Sequence, residues 1–229
     1  IYRLASLGGS ILCVGLTSQV EEEIVSGALL FGALGLAVFA FRWDTQSSNP
    51  MFPSNTLVIH TEIGSAYWII LLVTMSFCFA TIYVTLYLQI LHDQPPIVAA
   101  YIHALMSLSW TASSLVVASW RGRAIWWSIF GGVVLILVGV VVLALWATSS
   151  LTFMPAIGLI LVGLGMGLSN NHIIALAILA APKGQEALAG SSVQTMRTLG
   201  IGFGAAGAGY FANAAGLAGA GIEANAIGE

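Results

Sequence analysis

Long apolar runs dominate this sequence and constrain its fold more than any other feature. A helix that crosses a bilayer needs roughly 20 mainly apolar residues, because it rises about 1.5 Å per residue across about 30 Å of hydrocarbon. Charged residues make up only 7% of the 229 positions and hydrophobic residues 59%, whereas a typical soluble domain carries roughly 25% charged residues. The composition therefore excludes a soluble fold.

Seven apolar runs are candidates for membrane spans. They lie at about 4–20, 24–41, 65–91, 97–118, 124–147, 154–181 and 190–217. The first is the weakest, because glycine, serine and threonine dilute it. The sequence predicts an all-α, polytopic transmembrane bundle of about seven helices.

The basic residues provide a test of this threading. Those outside the runs fall in alternate connections, and therefore on one side: Arg3, Arg42, Arg121, Arg123 and Lys183. The other side carries acidic residues and no Lys or Arg: Glu21, Glu22, Glu23, Asp93, Glu223 and Glu229. By the positive-inside rule, the basic side is cytoplasmic. We expect a multi-pass protein of the cell (inner) membrane, with the N-terminus of this chain in the cytoplasm.

The longest polar stretch suggests a boundary between parts of the chain. It covers residues 42–64, and we expect a cytoplasmic linker between two accessory spans in 1–41 and five core spans in 65–217. Residues 218–229 are expected to form an extracytoplasmic loop or a truncated tail. Because the chain begins at Ile1 and shows no signal peptide, we interpret it as a fragment of a longer protein.

The predicted spans lack the residues of several known chemistries. No Asp or Glu lies in the middle of a run, so a buried proton-carrying carboxylate is not expected in this part of the protein. No Lys lies within a run, which excludes a retinal-type Schiff base. The Ser, His and acidic residues do not form a hydrolase motif. We therefore expect no catalytic residues and no enzyme activity.

Two further motifs have structural interpretations. The GxGxxG match at residues 202–207 lies in an apolar run with no preceding strand, so it does not indicate a nucleotide site. Cys13 and Cys78 lie in apolar runs without metal-ligand spacing. We expect no metal site and no cofactor, and the net charge of −3 gives no reason to expect a nucleic-acid partner.

Paired glycines are predicted to pack helices. Gly163 and Gly167 form one GxxxG pair, and Gly200 and Gly204 form another. Small residues at this spacing let helix backbones approach closely in lipid. The functional alternative is that these glycines let helices slide or bend during a conformational change.

One face of the fourth run is polar. Spacings of 0, 4, 7, 8 and 11 positions align its members, which are His103, Ser107, Trp110, Thr111 and Ser114. In lipid such a stripe is expected to face the bundle interior or a wet cavity, because its groups need partners. The alternative is that the hydroxyls bond to carbonyls of their own helix.

Three other runs contribute candidates for a substrate pathway. The third carries Tyr83 and Tyr87 one turn apart, followed by Gln89. The face opposite the two tyrosines carries Thr74, Cys78, Thr81 and Thr85. Either face of the third run fits a pathway, and Tyr87 also suits an interfacial aromatic belt.

The sixth run contains Asn170 and Asn171, which we expect to line a pathway, and His172, which is directed elsewhere. Arg197 lies about 10 Å into the seventh run by helix rise. A guanidinium at that depth must snorkel, pair or face water.

Several segments together resemble a known family. They are Leu-Tyr-Leu-Gln at 86–89, the glycine-rich 158–167 with Ala-Pro-Lys-Gly at 181–184, the stretch 190–200 with its G-x-x-x-x-x-x-R-x-x-G pattern, and the Pro-x-x-Pro linker at 50–53. They are similar to the seventh, tenth and eleventh helices, and to the central linker, of major facilitator superfamily exporters. The pair of spans before the linker resembles the two extra helices of the fourteen-helix drug/proton antiporter branch.

This resemblance implies a secondary active transporter. It would be a proton-coupled antiporter for the efflux of small amphipathic or cationic compounds, of the multidrug-resistance type, working by alternating access. Its partners would be the bilayer, a small-molecule substrate, protons, and a missing N-terminal half that holds the coupling acids. His103, Asn170, Asn171 and Tyr83 are then the expected lining of the cavity. Trp-Arg-Gly-Arg at 120–123 lacks the Asp of the family's loop signature.

Two other functions remain open from the residues alone. One is a non-transporting membrane protein, such as a seven-helix receptor or a structural subunit. The other is a haem-binding membrane protein that uses His103 and His172.

Overall fold

The computed structural model describes residues 2–17, 20, 23–90, 93–145 and 153–214. Seven helices follow one another: α1 (Tyr2–Leu16), α2 (Glu23–Thr45), α3 (Glu62–Ile90), α4 (Pro96–Val117), α5 (Arg123–Leu145), α6 (Met154–Leu179) and α7 (Glu186–Ala214). These described residues contain no strand. The predicted all-α bundle of about seven helices is confirmed.

Five segments are long and apolar enough to cross a bilayer. They are Ile24–Thr45, Glu62–Ile82, Pro96–Val117, Arg123–Leu145 and Met154–Leu179. With 15 residues, α1 is shorter than a bilayer requires. α7 has 29 residues, but glycine, alanine, serine and threonine dilute its larger apolar residues. That α1 and α7 also cross the membrane stays a prediction.

The observed helix ends shorten the predicted linker. α2 continues to Thr45 and α3 begins at Glu62, so the connection covers 46–61 rather than 42–64. The division into accessory and core helices stays a prediction. The expected loop or tail at 218–229 lies outside the described residues.

The chain divides into two compact units. Unit 1 consists of residues 1–75 and 177–229, and unit 2 of residues 76–176. Both boundaries lie inside helices, one in α3 and one in α6. Unit 1 thus holds α1, α2, the first half of α3 and α7, while unit 2 holds α4, α5, the second half of α3 and most of α6.

Unit 1 is held together around α1, which packs against α2 and α7. The buried hydroxyl of Ser10 donates a hydrogen bond to the carbonyl of Ala33 in α2 over 2.7 Å. Across the α3–α7 contact, a Cβ added to Gly200 would lie 2.8 Å from the Leu71 carbonyl oxygen. Serine and glycine therefore allow these helix backbones to approach closely.

In unit 2, glycines on α6 face two different helices. Gly158 and Gly165 meet Gly139 and Gly132 of α5, so that a Cβ on Gly139 would lie 2.8 Å from the Gly158 carbonyl oxygen. On another face of α6, Gly163 and Gly167 lie against the backbone of α4. Lipid tails are as apolar as the side chains, so this close van der Waals packing stabilises helix association in a membrane.

Candidate functional site

A polar pair joins α3 and α4 inside unit 2. Thr85 Oγ1 lies 2.7 Å from His103 Nε2, and the same hydroxyl donates to the Thr81 carbonyl over 2.9 Å. Which of the two atoms donates in this pair depends on the tautomer of His103.

Aromatic and apolar side chains of the same two helices, α3 and α4, lie in unit 2 with this pair. Phe77 and Trp110 meet edge to face with their ring centroids 5.4 Å apart, and Trp110 lies two turns beyond His103 on the polar face of α4. Phe77 packs against a buried apolar cluster that includes Ala80, Ile102 and Met106 and extends to residues of α5 and α6. The site thus combines one polar anchor, two aromatic rings and an apolar surround.

The rest of the predicted stripe on α4 does not converge on one site. Ser107 and Thr111 are exposed, and their hydroxyls donate to the carbonyls of His103 and Ser107, at 3.3 and 2.9 Å. The alternative of bonding within the helix therefore describes both. Ser114 instead donates across to the Gly167 carbonyl of α6 over 3.3 Å.

Serines that the sequence analysis did not select make closer contacts between the helices of unit 2. Ser109 Oγ donates to the Ile160 carbonyl over 3.2 Å and Ser128 Oγ to the Leu168 carbonyl over 2.6 Å. Ser113 is buried and donates within its own helix. Ser109 and Ser113 repeat the four-residue spacing of Ser107 and Thr111, two positions later along α4. This second polar row is the sequence pattern that indicates the face of α4 that packs against α6.

The hydrogen bonds of the α6 asparagines are separate from that of the Thr85–His103 pair. Asn170 is half-buried and donates to Oδ1 of the exposed Asn171 over 3.4 Å. Nε2 of His172 is a buried atom without a hydrogen-bond partner in the described part of the chain. Within those same residues, no group of three His, Cys, Asp or Glu side chains could hold a metal ion.

The other predicted pathway residues are only partly described. Tyr83 and Tyr87 belong to α3, but their side chains lie outside the described residues, and Gln89 is exposed. Arg197 is half-buried in α7 and forms no ion pair in the described part of the chain.

The remaining predicted positions are loop arginines and packing glycines. Arg121 and Arg123 are exposed at the turn between α4 and α5, where Gly122 has a positive φ of 61°, a conformation that glycine adopts without steric cost. The glycines Gly163, Gly167, Gly200 and Gly204 are all buried.

Asp44 is a buried polar residue of unit 1 that the sequence analysis passed over. Its carboxylate pairs with the guanidinium of Arg3 and accepts hydrogen bonds from the backbone N–H groups of Met51 and Phe52, at 2.8 and 3.0 Å. Arg3 also donates to the Asn49 carbonyl over 3.0 Å. Asp44 therefore ties the start of α1 and the linker to the end of α2.

The linker continues these contacts toward α3 and α7. Phe52 is buried and packs against Phe41 and Tyr67. The hydroxyl of Tyr67 lies 2.6 Å from Ser192 Oγ and donates to the Ala189 carbonyl of α7 over 3.0 Å.

The linker also contacts the connection before α7. Ser54 N–H donates to Gln185 Oε1 over 3.0 Å. Arg3, the linker and the connection before α7 thus lie at one end of unit 1.

A family model described as Major Facilitator Superfamily matches residues 4–205. This range includes all of α2 to α6 and most of α1 and α7. No curated protein and no solved structure matches the chain significantly.

Proposed function

Because the chain belongs to the major facilitator superfamily, a family of membrane transporters, we propose that it is a proton-coupled antiporter of the fourteen-helix drug-efflux branch. It exports small amphipathic or cationic compounds by alternating access. The family match does not favour a non-transporting receptor or structural subunit.

The observation that carries the proposal is the site between α3 and α4 in unit 2. An amphipathic substrate needs apolar surface for its body and a few polar groups that orient it. Phe77 and Trp110 offer ring faces that attract a cation, and the apolar cluster beside them suits a lipophilic body. The Thr85–His103 pair supplies the orienting polar group.

His103 also supports coupling to protons. Imidazole is the side chain that ordinarily changes charge between roughly pH 5 and 8, and the hydrogen bond to Thr85 orients the ring of His103. A charged imidazole repels a cationic substrate, so protonation of His103 favours substrate release. The carboxylates that carry protons through the membrane are proposed to lie in the N-terminal half of the whole protein.

The test is efflux from cells that express the complete gene. We expect severalfold lower accumulation of a lipophilic cation such as tetraphenylphosphonium, and a protonophore should abolish the difference. Unchanged accumulation across a broad substrate panel, with the protein present in the membrane, would contradict drug export.

Two threonines give a matched pair of variants for the site itself. Thr85→Val removes the hydroxyl that bonds to His103, whereas Thr111→Val removes a hydroxyl that bonds only to its own helix. We expect the first to slow efflux about tenfold, in the range for lost polar contacts, and the second to leave it unchanged. Equal efflux rates for the two variants would contradict the assignment of the pathway to this site.

A further inference from the structure

One face of α2 is not used in packing within unit 1. The buried face of the helix carries Ser26, Ala33, Ala40 and Asp44. On another face, Phe31, Leu34 and Val38 are exposed. Their spacing of three and four residues aligns them in a single apolar row along the span. Arg42 lies in the same row, one turn beyond Val38.

A groove of about 410 Å³ lies at this end of α2, lined by Phe39, Arg42, Trp43 and Gln46. Trp43 forms its aromatic wall. It meets Phe39 edge to face at 5.0 Å, and Tyr2 of α1 stacks on it at 6.4 Å with the ring planes 10° apart. The apolar span ends at Thr45, so this wall lies at the depth of lipid headgroups, where Trp and Tyr are enriched.

The two arginines at this end of unit 1 differ in whether a carboxylate pairs with them. Asp44 neutralises Arg3, whereas Arg42 is exposed and has no ion pair in the described part of the chain. One positive charge is therefore left uncompensated beside the groove. A phosphate diester complements it, because a guanidinium donates two parallel hydrogen bonds to phosphate oxygens.

We propose that this surface of α2 binds one anionic glycerophospholipid. The phosphate lies on Arg42, the glycerol and headgroup lie against Trp43 and Phe39 in the groove, and the Gln46 amide donates to the headgroup. One acyl chain runs along Phe31, Leu34 and Val38. The single uncompensated charge of Arg42 favours an anionic headgroup over a zwitterionic one.

Native mass spectrometry of the purified full chain tests this assignment. The chain is reconstituted in nanodiscs of equal phosphatidylglycerol and phosphatidylcholine and then released, and retained lipids are counted. We expect the wild type to retain phosphatidylglycerol preferentially and Arg42→Gln to lower that retention about tenfold, as expected for loss of a charge-assisted contact. Arg42→Lys keeps the charge but not the planar fork, so its retention should be intermediate.

Lys183→Gln is the matched control. It removes one exposed positive charge from a connection that does not line the groove, and we expect its lipid retention to equal that of the wild type. Inorganic phosphate at millimolar concentration should not displace the lipid, because it lacks an acyl chain. The assignment is overturned by equal retention in wild type and Arg42→Gln, by equal losses in Arg42→Gln and Lys183→Gln, or by displacement with inorganic phosphate. Size-exclusion profiles and circular dichroism verify that each variant is folded.

Discussion

Two adjacent glycines in α5 have opposite surroundings. A Cβ on Gly132 would lie 2.7 Å from the Gly165 carbonyl oxygen and 3.0 Å from the Ser169 backbone nitrogen, whereas a Cβ on Gly131 would have no neighbour within 4 Å. We predict that Gly132→Ala destabilises the protein by about 1–3 kcal/mol, the usual cost of overpacking, because neither backbone atom can rotate away. Gly131→Ala should be neutral or slightly stabilising, since alanine is the better helix former.

Thermal unfolding in detergent, followed by size-exclusion fluorescence, compares the two glycine variants directly. Equal melting temperatures would contradict the close approach of α5 and α6. The pair is informative because both variants make the same chemical change in the same helix, so that only the neighbouring backbone differs.

Asp44 is expected to be the acidic residue whose removal most affects the linker. Asp44→Asn removes the charge that pairs with Arg3 and weakens the two backbone hydrogen bonds from Met51 and Phe52. Hydrogen bonds to charged groups contribute about 1.5–3 kcal/mol, so we expect a loss of stability in that range, and we expect residues 46–61 to become sensitive to limited proteolysis. Asp93→Asn, at an exposed position, should leave both measurements unchanged. Intact protection of the linker in Asp44→Asn would show that the linker is anchored elsewhere.

Between elements, the α3–α7 contact includes a hydrogen bond between Tyr67 and Ser192, side chains 125 positions apart. Tyr67→Phe removes the hydroxyl that meets Ser192 and the Ala189 carbonyl. Ser192 keeps its bonds to its own helix, so no hydroxyl is left unpaired. We expect Tyr67→Phe to cost about 0.5–1.5 kcal/mol, with no effect of Tyr101→Phe at an exposed position.

A double-mutant cycle isolates this contact. If Tyr67 and Ser192 interact as described, the losses in Tyr67→Phe and Ser192→Ala are not additive, and the coupling energy is about 0.5–1 kcal/mol. Strictly additive losses would mean that the two residues stabilise α3 and α7 independently.

The helices could be predicted from the sequence, but most of the contacts between them could not. A bilayer requires long apolar segments with internally bonded backbones, so the runs mark where helices lie. Which helix faces which neighbour has no comparable local signal. The GxxxG pattern identifies Gly163 and Gly167 but not Gly132 and Gly139, which lie seven residues apart and pack against α6. Asp44 and Arg3 are 41 positions apart, and nothing in the neighbourhood of either identifies the other.

At the scale of the whole molecule, contacts within unit 1 agree with the predicted one-sided distribution of basic residues. Arg3 and the end of α2 meet through Asp44, and the linker meets the connection that carries Lys183 through Ser54 and Gln185. Three of the predicted cytoplasmic segments are therefore neighbours. The packing of unit 1 therefore brings together three of the four segments that the positive-inside rule assigns to one side.

Cysteine labelling tests this orientation with positions that do not depend on α1 or α7. Ser48, Asp93 and Lys183 are exposed and are separated in sequence only by α3 to α6, all of which contain segments long and apolar enough to span. In a chain with Cys13 and Cys78 replaced by alanine, we expect a membrane-impermeant maleimide to label Asp93→Cys on intact cells. Ser48→Cys and Lys183→Cys should react only after permeabilisation. Labelling of the latter two alone on intact cells would indicate the opposite orientation. Different behaviour of Ser48→Cys and Lys183→Cys would mean that an odd number of the four helices cross the membrane.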